Sequence, residues 1–196
     1  MTKNLKETKT RSNLMRAFEG ESMGRNRYTI YSSVAKKEGY EQIAAILTEI
    51  AENEREHGKL FFKYLDGDDV NMLNYPHVNF PSCLGTTKDN LLCAAKGEKE
   101  EAEFLYPLFS KIAQEEGFKD ISKTFELIGK IEHNHMAIFE KLAKNIESNS
   151  VFLRDEKTTW VCRKCGHQMT GTNPPAECPV CHHDIGYFEI VCECKH

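Results

Sequence analysis

The sequence predicts a mainly α protein: a four-helix bundle with one long crossover, followed by a small metal-knuckle domain. Three observations carry that reading. Segments rich in Glu, Lys, Ala, Leu and Ile run with helical periodicity from about Leu5 to Ile146, two Glu-x-x-His pairs recur within them, and four later cysteines stand as two Cys-x-x-Cys pairs. A chain of 196 residues can build one domain with a real hydrophobic core and a satellite. The expected divisions are 1–147 for the bundle, 148–156 for a linker and 157–196 for the knuckle domain.

The breaks "KKEGYEQ" and "EEGFKD" and the stretch "LDGDDVNMLNYPHVNFPSCLGTTKD" place four helices at about 5–37, 40–66, 87–115 and 118–147. Turns at Gly39 and Gly117 make two antiparallel hairpins, and the connection from Asp66 to Thr87 is long enough to cross one end of a bundle. The hairpins are also an internal repeat: "EGYEQIAAILTEIAENEREH" aligns with "EGFKDISKTFELIGKIEHNH" at one offset, setting Glu54 on Glu132 and His57 on His135. "GES" at Gly20 and "GEK" at Gly97 correspond with a single-residue slip. Such a duplication predicts a pseudo-twofold axis and a site that draws equivalent ligands from both halves.

The second helix carries one stripe of Ile43, Leu47, Ile50, Glu54, His57, Phe61 and Tyr64, and the fourth matches it with Ile121, Phe125, Ile128, Glu132, His135, Phe139 and Leu142. In the first helix the stripe is Leu14, Ala17, Glu21, Gly24, Tyr28, Tyr31 and Ala35; in the third it is Leu91, Ala94, Glu98, Glu101, Leu105, Leu108 and Ile112. Five glutamates and two histidines therefore point at the core. Buried carboxylates are costly and repel one another unless a cation compensates them, and hard oxygen donors with two imidazoles suit iron or manganese better than structural zinc. Acids off the stripes, such as Glu19, Glu49, Glu56, Glu100 and Glu103, read as solvated faces. One Glu from each of two helices plus Glu-x-x-His from two others is the ligand pattern of ferritin-like di-iron and di-manganese proteins. Here it selects Glu21, Glu98, Glu54/His57 and Glu132/His135, with Glu101 one carboxylate beyond it, opposite Gly24 in the repeat.

"WVCRKCGHQMTGTNPPAECPVCHHD" sets Cys162, Cys165, Cys178 and Cys181 as two knuckles, a tetrahedral thiolate signal that fits structural Zn²⁺ or redox-active Fe equally well when taken alone. A segment this short needs such a staple, with Trp160, Tyr187 and Phe188 as its small core. Cys83, Cys93, Cys192 and Cys194 are expected to be free thiols, because the knuckles are already complete. A net charge of −4 with scattered acids and bases gives no footprint for nucleic acid or an anionic membrane. The start "MTKNLKETKTRSNL" lacks a signal peptide's apolar stretch and no run suggests a span, so a cytoplasmic protein is expected.

The ordered set "AFEGESMGRNRY", "ENEREH", "GEKEEAEFLYP", "IEHNH", "WVCRKCG" and "CPVC" resembles the rubrerythrin family over nearly the whole chain. That resemblance implies a ferritin-like di-iron domain joined to a rubredoxin-like Fe(Cys)₄ domain, and reduction of hydrogen peroxide to water. It implies iron ligands at Glu21, Glu54, His57, Glu98, Glu101, Glu132 and His135, with Glu54 and Glu132 bridging, and supporting tyrosines at Tyr28 and Tyr106. It further implies a head-to-tail homodimer, an electron donor such as a rubredoxin or an NAD(P)H-dependent reductase, and exchange of His57 for Glu101 at one iron on oxidation. His182 departs from the pattern, since glycine often follows the second knuckle in rubredoxins, and so does the Cys-x-Cys tail. The competing readings are an iron-storage ferroxidase, for which a four-cysteine relay has no use, and a zinc-ribbon binding module on a helical scaffold.

Overall fold

The computed structural model describes residues 4–65 and 83–191. Helix α1 spans Lys9–Lys37 and α2 spans Glu41–Tyr64; α3, Thr87–Glu100, runs through a π-helical turn, Glu101–Leu105, into α4, Tyr106–Glu115; α5 spans Lys119–Glu147. The bundle has two hairpins, α1 with α2 and the α3–α4 rod with α5. Gly39 and Gly117 end α1 and α4 with φ of 80° and 84°, a left-handed conformation that suits glycine at the residue after a helix. Most of the expected crossover from Asp66 to Thr87 lies outside the described residues, as do Cys192 and Cys194.

Two expectations about helices are corrected. The first helix begins at Lys9 rather than near Leu5, because Thr8 caps it by accepting from the Arg11 amide and Glu7 sits at φ 65°. The third helix is not one regular α-helix: its π-turn advances the register by one residue, so Tyr106, Phe109 and Ala113 are buried in place of Leu105, Leu108 and Ile112. Leu108 is exposed. The π-turn is the single-residue slip of the repeat, absorbed between Glu98 and Tyr106.

The core falls into two apolar clusters with the acidic stripe positions between them. One gathers Tyr28, Leu47, Leu91 and Phe139. The other gathers Leu14, Phe61, Phe109 and Phe125. A third, small cluster of Trp160, Cys162, Cys178 and Phe188 lies in the knuckle module, around antiparallel strands β1 (Thr158–Cys162), β2 (Gln168–Gly171) and β3 (Phe188–Ile190) in the order β2-β1-β3. The module rests on the α1–α2 turn. Phe152 stacks on Tyr40 with ring centroids 6.1 Å apart, and a Cβ at Gly186 would collide with the Gly39 carbonyl. No helix among the described residues is long and apolar enough to cross a membrane.

Candidate metal centres

Between the two bundle clusters, Glu21, Glu54, His57, Glu98, Glu132 and His135 are all buried. Their ligand atoms form two groups, Glu21, Glu54, His57, Glu132 and Glu54, Glu98, Glu132, His135, each with its atoms within 4.8 Å of one another. Glu54 and Glu132 belong to both, the arrangement expected of carboxylates that bridge a metal pair. The helical stripes cause this directly, since Glu54/His57 and Glu132/His135 sit one turn apart on α2 and α5.

Protein groups compensate the charges only in part. His57 Nδ1 lies 3.0 Å from Glu132 Oε1 and 3.3 Å from Glu21 Oε2, and His135 Nδ1 lies 2.8 Å from Glu132 Oε2 and 3.3 Å from Glu54 Oε1. Yet Glu54 Oε1, Glu98 Oε2, both oxygens of Glu132 and His135 Nδ1 are buried without a hydrogen-bond partner. Burial, with repulsion from neighbouring carboxylates, raises Glu21, Glu54 and Glu98 well above the ordinary carboxylate range. Burial also works against Glu132, but the adjacent His135 and His57 imidazoles hold it at about 2; burial likewise works against charge on His135, which its proximity to Glu132 and Glu54 lifts to about 9. Orphaned lone pairs converging on two points are what a pair of divalent cations would satisfy, so the residues fit a dinuclear centre.

Two tyrosines hold the outer carboxylates. Tyr28 donates to Glu98 Oε1 at 2.5 Å, and Tyr106 donates to Glu21 Oε1 from the equivalent place in the other half. Glu101 stands beside the cluster rather than in either group. It starts the π-turn, half-buried, with Oε1 3.0 Å from where a Cβ on Gly20 would lie. Burial, then the Glu132 charge, raises its carboxyl to about 8. Its repeat counterpart Gly24 is tightly placed: a Cβ there would meet Glu54 Oε2 at 3.3 Å, so the carboxylate would have to give by a few tenths of an ångström.

In the knuckle module Cys162, Cys165, Cys178 and Cys181 form one group, with Sγ atoms 3.7 Å apart for Cys162–Cys181 and 3.6 Å for Cys165–Cys178. Matching turns build it, the Gly166 amide donating to the Cys162 carbonyl and the His182 amide to that of Cys178. Gly166 and His182 have φ of 78° and 59°, so the second knuckle carries a histidine in a left-handed conformation that glycine fills more cheaply. Amides of Cys181 and Val180 hold the Cys178 thiol down at about 6 against the burial that raises it.

The expectation of free thiols at Cys83 and Cys93 is corrected. They are joined as a disulfide with Cα atoms 6.5 Å apart, inside the range a bridge spans. The residues ahead of α3 double back onto its second turn, which spacing alone did not reveal. Tyr31 Oη donates to the Cys83 carbonyl at 2.8 Å and helps hold that return.

The rubrerythrin family model matches residues 12–143, and a second family model, the rubredoxin-like domain of rubrerythrin, matches 160–189. Rubrerythrin-1 of Clostridium acetobutylicum is 52% identical over 192 residues, covering 97% of this chain and 98% of that protein. The rubrerythrin of Porphyromonas gingivalis is 46% identical, with 96% and 93% covered. Among solved structures, the fully reduced, all-ferrous state of nigerythrin superposes with a TM-score of 0.62 at 26% identity, over 95% of this chain and 91% of that one.

Proposed function

The chain belongs to the rubrerythrin family, and from that membership we propose that it is a non-haem di-iron peroxidase, reducing hydrogen peroxide to water with electrons relayed through the iron of its four-cysteine site. Membership makes it an iron-based oxidative-stress oxidoreductase with two iron ions in the bundle and one in the knuckles. The observation that carries the finer reading is the buried layer itself, a near-symmetric set of carboxylates and imidazoles in which Glu54 Oε1, Glu98 Oε2, both Glu132 oxygens and His135 Nδ1 have no hydrogen-bond partner.

Glu54 and Glu132, which belong to both ligand groups, would be shared between two ions, with Glu21 and His57 holding one and Glu98 and His135 the other. A pair of ferrous ions held by these residues would supply the two electrons that, with two protons, convert hydrogen peroxide to two waters. Tyr106 and Tyr28 fix the free rotation of Glu21 and Glu98, keeping each carboxylate aimed at its ion. Glu101, at the start of the π-turn beside the cluster, would be a further carboxylate available to that half of the centre.

Cys162, Cys165, Cys178 and Cys181 would hold the relay iron, and their matching turns fix the four thiolates in place so that it could pass electrons with little rearrangement of the chain. The chain's own relay docks on the α1–α2 turn. From Tyr40 to Glu54 along α2 is about 20 Å at 1.5 Å per residue, a long path for one electron step. That separation supports a head-to-tail homodimer in which the knuckles of one copy serve the bundle of the other, and exposed Phe62, Phe104 and Leu108 offer apolar surface for such pairing. The donor is a rubredoxin or an NAD(P)H-dependent reductase, and the setting is the cytoplasm.

Iron analysis with a peroxide-coupled NAD(P)H oxidation assay tests the proposal. The expected result is about three irons per chain, given the ligand count, and peroxide-dependent turnover. Full activity with no bundle iron would overturn the ligand reading, and oxygen-dependent iron uptake without peroxide consumption would favour storage instead.

A further inference from the structure

The near-symmetry of the metal layer fails at a second place besides Glu101. His135 turns Nδ1 towards Glu132 and Glu54, while its Nε2 lies 3.3 Å from Oδ1 of Asn53. Asn53 sits on α2 immediately before Glu54 and reaches across the α2–α5 groove. A histidine that ligates through Nδ1 must carry its proton on Nε2, and the amide oxygen of Asn53 accepts that proton's hydrogen bond. Such an outer partner fixes both the tautomer and the ring plane.

The repeat puts Ile131 where Asn53 would be in the other half, immediately before Glu132 on α5. An isoleucine accepts nothing. His57 also turns Nδ1 inward, towards Glu132 and Glu21, and among the described residues its Nε2 has no hydrogen bond. The two rings stand close together across the groove, their centroids 6.0 Å apart, so this difference falls on neighbouring, otherwise equivalent ligands.

We propose that Asn53 is a positioning residue that locks His135 for metal, making the Glu98/His135 half the firmly held one, and that Ile131 leaves His57 unlocked and its half weaker and adaptable. This rests on the ligand assignment proposed above. Neither position is needed for the core, since Asn53 is exposed and Ile131 is 38% exposed, so both can be exchanged without emptying a packed site.

The test titrates metal-free, full-length protein with Co(II) alone. Thiolate-to-cobalt charge transfer marks filling of the knuckles, and weaker visible bands mark filling of the bundle. Wild type should fill the bundle in two unequal steps. Asn53→Ala should weaken the tighter step about 10–100-fold and leave the other unchanged, as loss of an outer partner typically does. Asn53→Asp, which keeps the acceptor, should restore it, and Ile131→Asn should tighten the weaker step. Equal steps in wild type, an unchanged isotherm for Asn53→Ala, or equal weakening of both steps without rescue by Asn53→Asp would each overturn the proposal while leaving the ligand assignment standing. Failure of the bundle to take up two ions at all would overturn that assignment, and this proposal with it.

Discussion

Glu101 is the one ligand candidate with no partner in the repeat, and its surroundings give it separate prospects in the two redox states. Its carboxyl lies over Gly20, outside both ligand groups, and its protonation is poised near about 8 by burial and the Glu132 charge. An anionic oxygen gains more than a neutral imidazole when the neighbouring iron becomes the harder trivalent ion. Glu101→Ala should therefore still bind two ferrous ions in the bundle but turn over on the order of 10–100-fold more slowly, the scale of losses seen when metal-site support is removed. Ferrous binding measured beside steady-state peroxide reduction distinguishes this from a solvated acid, which predicts near-normal turnover. Space beside the carboxylate is tight: a Cβ at position 20 would lie 3.0 Å from Oε1.

At the scale of elements, the π-turn Glu101–Leu105 explains why that carboxylate exists on only one side. Gly24 occupies the matching place on regular α1, and a Cβ there would already touch Glu54 Oε2. The extra residue swells the backbone opposite and makes room for a side chain. Deleting exposed Phe104 should restore a regular helix, keep Glu98 and Tyr106 facing inward, and crowd Glu101 against Glu132; turnover should fall about as far as in Glu101→Ala while helical content stays within a few per cent. Retained activity would show that the turn is dispensable. The knuckles act as a separate element: Cys178→Ser should abolish donor-driven turnover while chemically reduced protein still consumes peroxide in one turnover. The inward acids and histidines on α1, α2 and α5 were legible because they interrupted apolar stripes of constant period. The slip between Gly20 and Gly97 was legible as well, but not its form, since one inserted residue can be absorbed as a loop, a kink or a π-turn. Reading the third helix as regular put Leu105, Leu108 and Ile112 inside, and the inserted residue puts Tyr106, Phe109 and Ala113 there. The Cys83–Cys93 bridge was hidden because it depends on how residues 83–86 fold back onto α3, which spacing does not set.

For the molecule as a whole, the bundle is two apolar clusters separated by a layer that only metal makes comfortable, so stability and metal occupancy are linked. Without metal the layer relies on protons. His135 is raised to about 9 and Glu101 to about 8, while Glu21, Glu54 and Glu98 are also raised, so the folded chain holds protons that the unfolded chain releases near 6.5 for His and 4.3 for Glu. The stabilisation from His135 is complete below about 6.5 and lost as pH climbs through 9, and the raised carboxylates lose theirs in the same direction. Glu132, held at about 2, has the opposite sign, but its contribution is constant above the ordinary carboxylate range and is lost only in acid. The metal-free bundle should thus melt at progressively lower temperature from pH 6.5 to pH 9. A drop of about 5 °C or more is expected, since each kcal/mol shifts Tm by roughly 2–4 °C at this chain length. In the iron-loaded protein the cations stand where the protons did, and Tm should stay level across the same window. Helical circular dichroism melts of both forms at matched pH check this, and a metal-free Tm that is flat or rises towards pH 9 would contradict the view that the buried layer is held together by exchangeable positive charge.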